Sequence, residues 1–344
     1  MIRPLVAIID SGLNSEQEFA GRTWSNPYDP VDGVDNDGNG FIDDSRGWNF
    51  YDRNSNIASS AYHSHGQDVA RYAANQGTGF DLLFVRAADR GATISALSSA
   101  VDYVVDLKRR HSLPIVSLNI SYGGGVPFDL KQLFQPSYDA ANNAGILVVA
   151  SAGNEGRDTD VTPHYPSGFS GVIGVTTSNA DGSYAGRNYG RQSVALGAPA
   201  SFTSYAAPIV SGAIGQFAAQ NPWATADQIQ EALWSSIVPH PTMTSRTRSG
   251  GSLLGPIRLT PAPTPPAPVP VPTPAPAPAP VPVPPPVTPP STLAALPRPT
   301  LITDVDLDGF SSSPTWEQVG NAFDNTVTTK YLNSGGPTAG VELS

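Results

Sequence analysis

The sequence predicts an α/β domain with a mostly parallel central sheet covered by helices on both faces. Three observations predict it. Short, almost continuously apolar runs recur at Pro4 to Ile9, Phe80 to Ala87, Pro114 to Ser121 and Gly145 to Ala150. Helical patterns fill the intervals at Thr93 to His111 and Leu130 to Ala144, and turns rich in Gly, Ser, Asp and Asn close the runs. Strands buried on both faces read as unbroken apolar runs, and strand-helix alternation supplies the crossovers that parallel pairing requires.

The chain of 344 residues is not uniform, because much of its 35 prolines lies in one block. We expect a core domain over residues 1–255, a Pro-rich linker over 256–297 and a C-terminal piece over 298–344. A net charge of −10 argues against nucleic acid or an anionic membrane surface as partner and suits bound cations. With no cysteine there is no disulfide, zinc-thiolate site or thiol nucleophile. No apolar run approaches the ~20 residues of a membrane span. Met1 to Pro4 is too short for a signal peptide, so either export does not use that route or the N-terminus is incomplete.

In chain order, the first run ends in Asp10-Ser11-Gly12 and delivers a carboxylate to a loop at a strand end, where open parallel sheets gather ligands. Val31 to Trp48 follows. Within it Asp35, Asp37, Asn39 and Gly40 fit the opening of a calcium loop, in which alternate oxygens converge on one hard cation. Phe41 offers its carbonyl and Asp43 a water-mediated contact, while Arg46 stands where a twelfth-position glutamate is expected, so Asp44 or Asp32 would substitute. Calcium and a solvated acidic loop both stay open at this point.

His65-Gly66 opens a helical stretch and makes His65 the candidate general base, whereas His63 falls outside the helical register and reads as a surface residue. Ser121-Tyr122-Gly123-Gly124-Gly125 leaves open backbone beside the cleft, where an extended peptide can pair. Ala150-Ser151-Ala152-Gly153-Asn154 places a side-chain amide after a strand, among glycines that let a carbonyl approach; taken singly, each segment also reads as a glycine-rich turn. Two more strands, Gly171 to Thr177 and Ser193 to Leu196, lead to Ser204, the candidate nucleophile. A helix of small residues from about Ala206 to Gln220 follows, then a second over Ala226 to Ile237 with a capping box at Thr225 and Gln228.

Together these segments resemble the subtilisin-like serine proteases, the subtilases, over about residues 4–238. Asp10-Ser11-Gly12 is similar to the family's aspartate motif, His65-Gly66-Gln67-Asp68-Val69-Ala70 to its histidine motif, and Thr203-Ser204-Tyr205-Ala206-Ala207-Pro208 to its serine motif. The resemblance implies a subtilisin-like three-layer sandwich and a serine endopeptidase acting on polypeptides. It also implies a triad of Asp10, His65 and Ser204, with Asn154 as oxyanion donor and Ser121, Tyr122, Gly123, Ala152 and Gly153 as substrate-binding residues. The Asp35 to Asp44 loop resembles a segment of many members, with structural calcium the implied cofactor, and a secreted or cell-surface location is expected.

Three departures stand out. Phe202 replaces the glycine before the Thr-Ser pair and Gln67 replaces a threonine, and the stretch from Ala198 to Ser204 is short. They motivate the alternative of an impaired scaffold that serves as a secreted binding or adhesion protein. Beyond the core, Thr260 to Pro290 has the composition of an extended polyproline spacer. Asp304 to Gly309 repeats the D-x-D-x-D-G pattern with Thr315, not an acid, at the twelfth position, and residues 322–333 resemble the start of galactose-binding-like β domains, implying a carbohydrate or surface ligand.

Overall fold

The computed structural model describes residues 3–59, 64–126 and 128–259, leaving aside the side chains of 128–130. His63, the Pro-rich stretch from residue 260 and the C-terminal piece lie outside the described residues. By its internal contacts the chain divides into Met1–Ala262 and Pro263–Ser344.

Eight strands form one sheet: β1 (Leu5–Asp10), β2 (Asp81–Arg86), β3 (Ile115–Ile120), β4 (Leu147–Ser151), β5 (Ile173–Ser178), β6 (Leu196–Pro199), β7 (Val238–Pro239) and β8 (Gly251–Ser252). Their order is β2-β1-β3-β4-β5-β6-β8-β7, parallel except for the antiparallel β7–β8 pair. All six residues of β1 and of β5 are buried, the reason β1 is apolar up to Asp10; β5 buries the hydroxyl residues Thr176, Thr177 and Ser178 as well.

Five helices cover the sheet: α1 (His65–Ala74), α2 (Ile94–His111), α3 (Phe128–Asn143), α4 (Thr203–Gln220) and α5 (Ala226–Ser235). Packing pairs α1 with α4 and α2 with α3, so the sheet is the middle of three layers. Because β1 has β2 on one side and β3 on the other, connections leave in opposite directions there. The crevice beyond the carboxyl ends of β1 and β3 is the topological switch point of the sheet.

Helix α4 runs close under the sheet because its small residues permit it. A Cβ added to Gly212 would lie 2.2 Å from the Ala73 carbonyl oxygen of α1, and one added to Gly215 would lie 2.5 Å from Val6 of β1. Some boundaries differ from the sequence reading. Helix α4 starts at Thr203, placing Ser204 inside the first turn. Strand β6 starts at Leu196 because Ser193 is held in a turn by Asp160 and Val194 bonds back to Gly190. The short strands β7 and β8 carry too few residues for a periodic signal. The capping box at Thr225 and Gln228 is present as expected.

Candidate active site

Asp10 is the last residue of β1 and is 1 % exposed. Its Oδ1 accepts from Ser11 N–H at 2.8 Å and lies 2.8 Å from His65 Nδ1. An ionised carboxylate only accepts, so Nδ1 carries the proton and Nε2 keeps its lone pair. His65 opens α1, and Gly66 lets that helix end approach the β1 loop: a Cβ there would fall 2.3 Å from the Gly12 carbonyl oxygen. Ser11 Oγ accepts the Gly66 N–H at 3.0 Å and fixes the same junction.

The unexpected Gln67 has a clear local purpose. Its buried side chain accepts from Asn14 and Ser15 N–H at 3.1 and 3.2 Å and donates to the Ser15 carbonyl at 3.1 Å and to Glu18. It thereby ties the segment after Asp10 to the helix that carries His65. Burial lowers the His65 pKa, but the charge of Asp10 and its hydrogen bond outweigh that and hold it above the usual imidazole value. Tyr122 meets the His65 ring edge-on at 5.0 Å and Tyr205 lies 6.0 Å away. Burial and the charge of Asp10 push the Tyr122 phenol well up, so it stays a donor, to the Asp89 carbonyl at 2.8 Å.

Ser204 sits in the first turn of α4, the end where helix N–H groups favour negative charge. Pro208 lies four residues on and has no N–H, so the Ser204 carbonyl loses its helical donor. Ser121 Oγ supplies it at 2.8 Å, while Ser204 Oγ donates to the Ser121 carbonyl at 3.2 Å. The buried Ser121 hydroxyl also accepts from Asn119 Nδ2 at 2.9 Å, and Asn119 Oδ1 accepts from Ser211 Oγ at 3.2 Å. The end of β3 and the start of α4 are thus joined twice, at Ser121 and at Ser211. His65 Nε2 has no hydrogen bond among the described residues.

Asn154 is placed by the same helix start. Its Oδ1 accepts from Thr203 N–H at 2.9 Å and Thr203 Oγ1 at 3.1 Å, which fixes the amide and leaves Nδ2 as the free donor. Thr203 Oγ1 also accepts the Gly153 N–H at 3.2 Å. The Ser204 N–H has no acceptor among the described residues. Thr203 is the residue the sequence reading passed over; its place between the amide and the nucleophile was the available signal.

The structure brings Asp10, His65, Ser204 and Asn154 to the crevice together with Ser121, Tyr122 and Gly123. The peptide groups of Tyr122 and Gly123 carry no hydrogen bond among the described residues and are open to an extended chain. Ala152 and Gly153 are different. Ala152 N–H donates to Val175 and its carbonyl accepts from Asn188 Nδ2, while Gly153 uses its N–H on Thr203 and its carbonyl on Asn188 N–H. Those two residues shape a wall and have no free backbone groups to offer. Phe202, where the resemblance wants glycine, has φ −134° and ψ 149°, extended backbone that any residue adopts. Its ring is 45 % exposed, with the Arg187 guanidinium 4.4 Å from its centre and the Tyr205 ring edge-on at 6.2 Å.

The acidic loop is a set of turns. Asp35 accepts the N–H groups of Gly38, Asn39 and Gly40, and Asp43 those of Asp32 and Gly33. Phe41 N–H donates to Asn39 Oδ1, and the Phe41 ring packs against Trp48, Phe50 and Tyr103. Only Asp37 and the buried Asp44 face a shared point, bridged by the amides of Asn26 and Asn39. Among the described residues no three His, Asp or Glu side chains gather as a metal site.

Comparison with known proteins bears on this geometry directly. The model of the subtilase family matches residues 3–252. The chain belongs to the subtilase family. As a subtilase it is a serine-type endopeptidase. Thermitase of Thermoactinomyces vulgaris is 29 % identical over 242 residues, 62 % of this chain and 75 % of that protein. A thermostable alkaline protease of Halalkalibacterium halodurans is 24 % identical over 170 residues, 44 % of each chain. Among solved structures, a lanthipeptide protease superposes with a TM-score of 0.57 at 18 % identity, covering 72 % of this chain and 84 % of its own. A cold-adapted subtilisin-like serine proteinase gives 0.55 at 22 %, covering 74 % and 89 %. The expected fold class, a subtilisin-like α/β sandwich, is therefore the one observed.

The Ser121 contact yields a prediction. Ser121→Ala leaves the Ser204 carbonyl without its donor and should lower kcat/KM on a peptide substrate about tenfold. In a Pro208→Ala background residue 208 regains an N–H, so the same change should cost clearly less. Equal losses in the two backgrounds, measured across the four proteins, would separate Pro208 from this contact.

Proposed function

We propose that this subtilase cleaves peptide bonds through Ser204 as nucleophile, His65 as general base and acid, and Asp10 as the group that orients and charges the imidazole. The observation that carries the reading is the Asp10–His65 hydrogen bond at the mouth of the same crevice as Ser204, with Nε2 left bare. Attack requires the Ser204 hydroxyl to exchange its Ser121 acceptor for His65 Nε2, which takes the proton as Oγ bonds to the substrate carbonyl carbon. Asn154 Nδ2 and the Ser204 N–H then hold the oxyanion, helped by the helix end. His65 returns the proton to the departing amine, leaving an acyl-enzyme that water hydrolyses by the same steps in reverse order. An extended polypeptide would lie along Tyr122 and Gly123, whose free peptide groups support strand addition.

A fluorophosphonate probe should label the purified protein on Ser204 and should not label Ser204→Ala; equal labelling of both refutes the assignment. The pH profile is the second measurement. The base acts only when neutral, and Asp10 holds His65 above the usual imidazole value, so kcat/KM should fall on acidification through a midpoint above about 6.5. Asp10→Asn removes that support while burial remains, so the midpoint should move down and the rate fall by roughly 10⁴-fold, as in other serine-protease triads. An unmoved midpoint would mean that another group controls the acid limb.

We also propose calcium at the acidic loop. The support is that the Asp37 and Asp44 carboxylates face one point; the Nδ2 groups of Asn26 and Asn39, which donate to both carboxylates there, would have to turn aside to admit an ion. Bound there, the ion would neutralise two carboxylates, one fully buried, and fasten the loop to Asn26. Asp35 and Asp43 would keep their turns. EDTA should lower the melting temperature and calcium restore it, with the response lost in Asp37→Asn; a saturating ligand at a hundredfold its Kd contributes about 2.7 kcal/mol. No response in the parent protein would leave the loop held by its own hydrogen bonds. A secreted or cell-surface setting, and a carbohydrate or surface ligand for residues 298–344, rest on the spacer composition and on the C-terminal resemblance.

A further inference from the structure

His65 rides on α1 and Ser204 on α4, and among the described residues no hydrogen bond joins the two side chains. Other contacts must hold the two helix ends in register. Tyr72 follows His65 by seven residues and so falls on the same face of α1, while Tyr205 follows Ser204 directly in the first turn of α4. Their rings stack at 4.8 Å with planes 12° apart, within the range of favourable aromatic pairs.

Tyr205 also reaches the histidine itself. Its ring centre lies 6.0 Å from that of His65, which Tyr122 meets edge-on at 5.0 Å, and Phe202 meets Tyr205 edge-on at 6.2 Å. The half-buried Tyr205 packs on the apolar cluster to which Val69, Ala70 and Ala73 of α1 belong. Further along α4, Gly212 lies directly against the Ala73 carbonyl, with no side chain between. Backbone contact at Gly212 and ring contact at Tyr205 are separate points, and two points limit the tilt of one helix on the other where a single point does not. Burial and the charge of Asp68 push the Tyr205 phenol above its ordinary value, so this ring stays neutral throughout the range in which His65 titrates.

We propose that the Tyr72–Tyr205 stack is a positioning device for proton transfer, holding the end of α4 that carries Ser204 at the separation from His65 at which the hydroxyl can leave the Ser121 carbonyl for Nε2. Tyr72 touches no reacting group and acts through Tyr205. Without the stack the helix ends drift, and misplacement by ~1 Å costs about a hundredfold in rate. The open peptide groups of Tyr122 and Gly123 belong to the segment after β3 and are left in place, so substrate binding is spared. The inference rests on the nucleophile and base assignments above.

The experiment uses the whole protein and one peptide p-nitroanilide, with kcat expressed per Ser204 titrated by a fluorophosphonate so that unfolded molecules are not counted. Tyr72→Leu keeps apolar bulk without a planar face and should lower kcat by about tenfold or more, with KM within about twofold of the parent. Tyr72→Phe keeps the ring and should give a kcat within about twofold of the parent. The midpoint of the acid limb should stay where Asp10 sets it in both variants. Tyr205→Leu should lower kcat by a similar factor, and adding Tyr72→Leu to it should cost nothing further. A parent-like kcat in Tyr72→Leu, an equal loss in Tyr72→Phe, a shifted midpoint, or additive losses in the double variant would each overturn the inference while turnover by the parent upholds the peptidase reading. Absence of turnover by the parent would overturn both.

Discussion

The site depends on a carbonyl that its own helix cannot satisfy. Pro208 withholds an N–H from Ser204, and a buried carbonyl without a donor costs roughly 1–3 kcal/mol. The Ser121 hydroxyl removes that cost at 2.8 Å and so fixes where α4 begins relative to the end of β3. Once that distance is set, Thr203 falls against Asn154, and the free Asn154 Nδ2 and Ser204 N–H share one crevice. The close approach of α4 at Gly212 and Gly215 makes the placement stiff, since neither position has room for a methyl group.

Much of this was legible in the sequence, for identifiable reasons. Asp10 ends an apolar run, His65 opens a helix and Ser204 precedes a stretch of small residues, so each sits where one local pattern stops and another starts. Contacts between distant segments were not legible. Nothing local distinguishes the free peptide groups of Gly123 from those of Gly153, because Thr203 and Asn188, which engage the latter, lie 35 or more positions away. The start of β6 escaped for the same reason: Asp160 draws Ser193 out of the strand across the chain.

Phe202 and the acidic loop show the limits of motif reading in opposite directions. A glycine in a motif suggests a positive φ, but the backbone before α4 is extended, so a bulky ring is accommodated and turns outward beside Arg187. Alternating carboxylates suggest convergence on a cation. In the loop, however, backbone N–H groups of successive turns compete for the same lone pairs and take those of Asp35 and Asp43. The spacing that presents oxygens to an ion also suits Asx turns, so only the three-dimensional arrangement separates Asp37 and Asp44 from their neighbours.

Two histidines border the crevice, and burial acts on both in the same direction by penalising the charged ring. What differs is the carboxylate. Asp10 bonds His65 directly at 2.8 Å and reverses the effect of burial, giving a ring that can accept a proton and hold it while a bond breaks. Glu155 spends its Oε2 on Asn154 and Asn188, bonds no atom of His164, and does not reverse it. His164 Nδ1 instead meets the Ser167 hydroxyl at 3.2 Å, a neutral partner. One imidazole is thereby tuned to take up and return a proton and the other to stay neutral, a difference set by the group each Nδ1 meets.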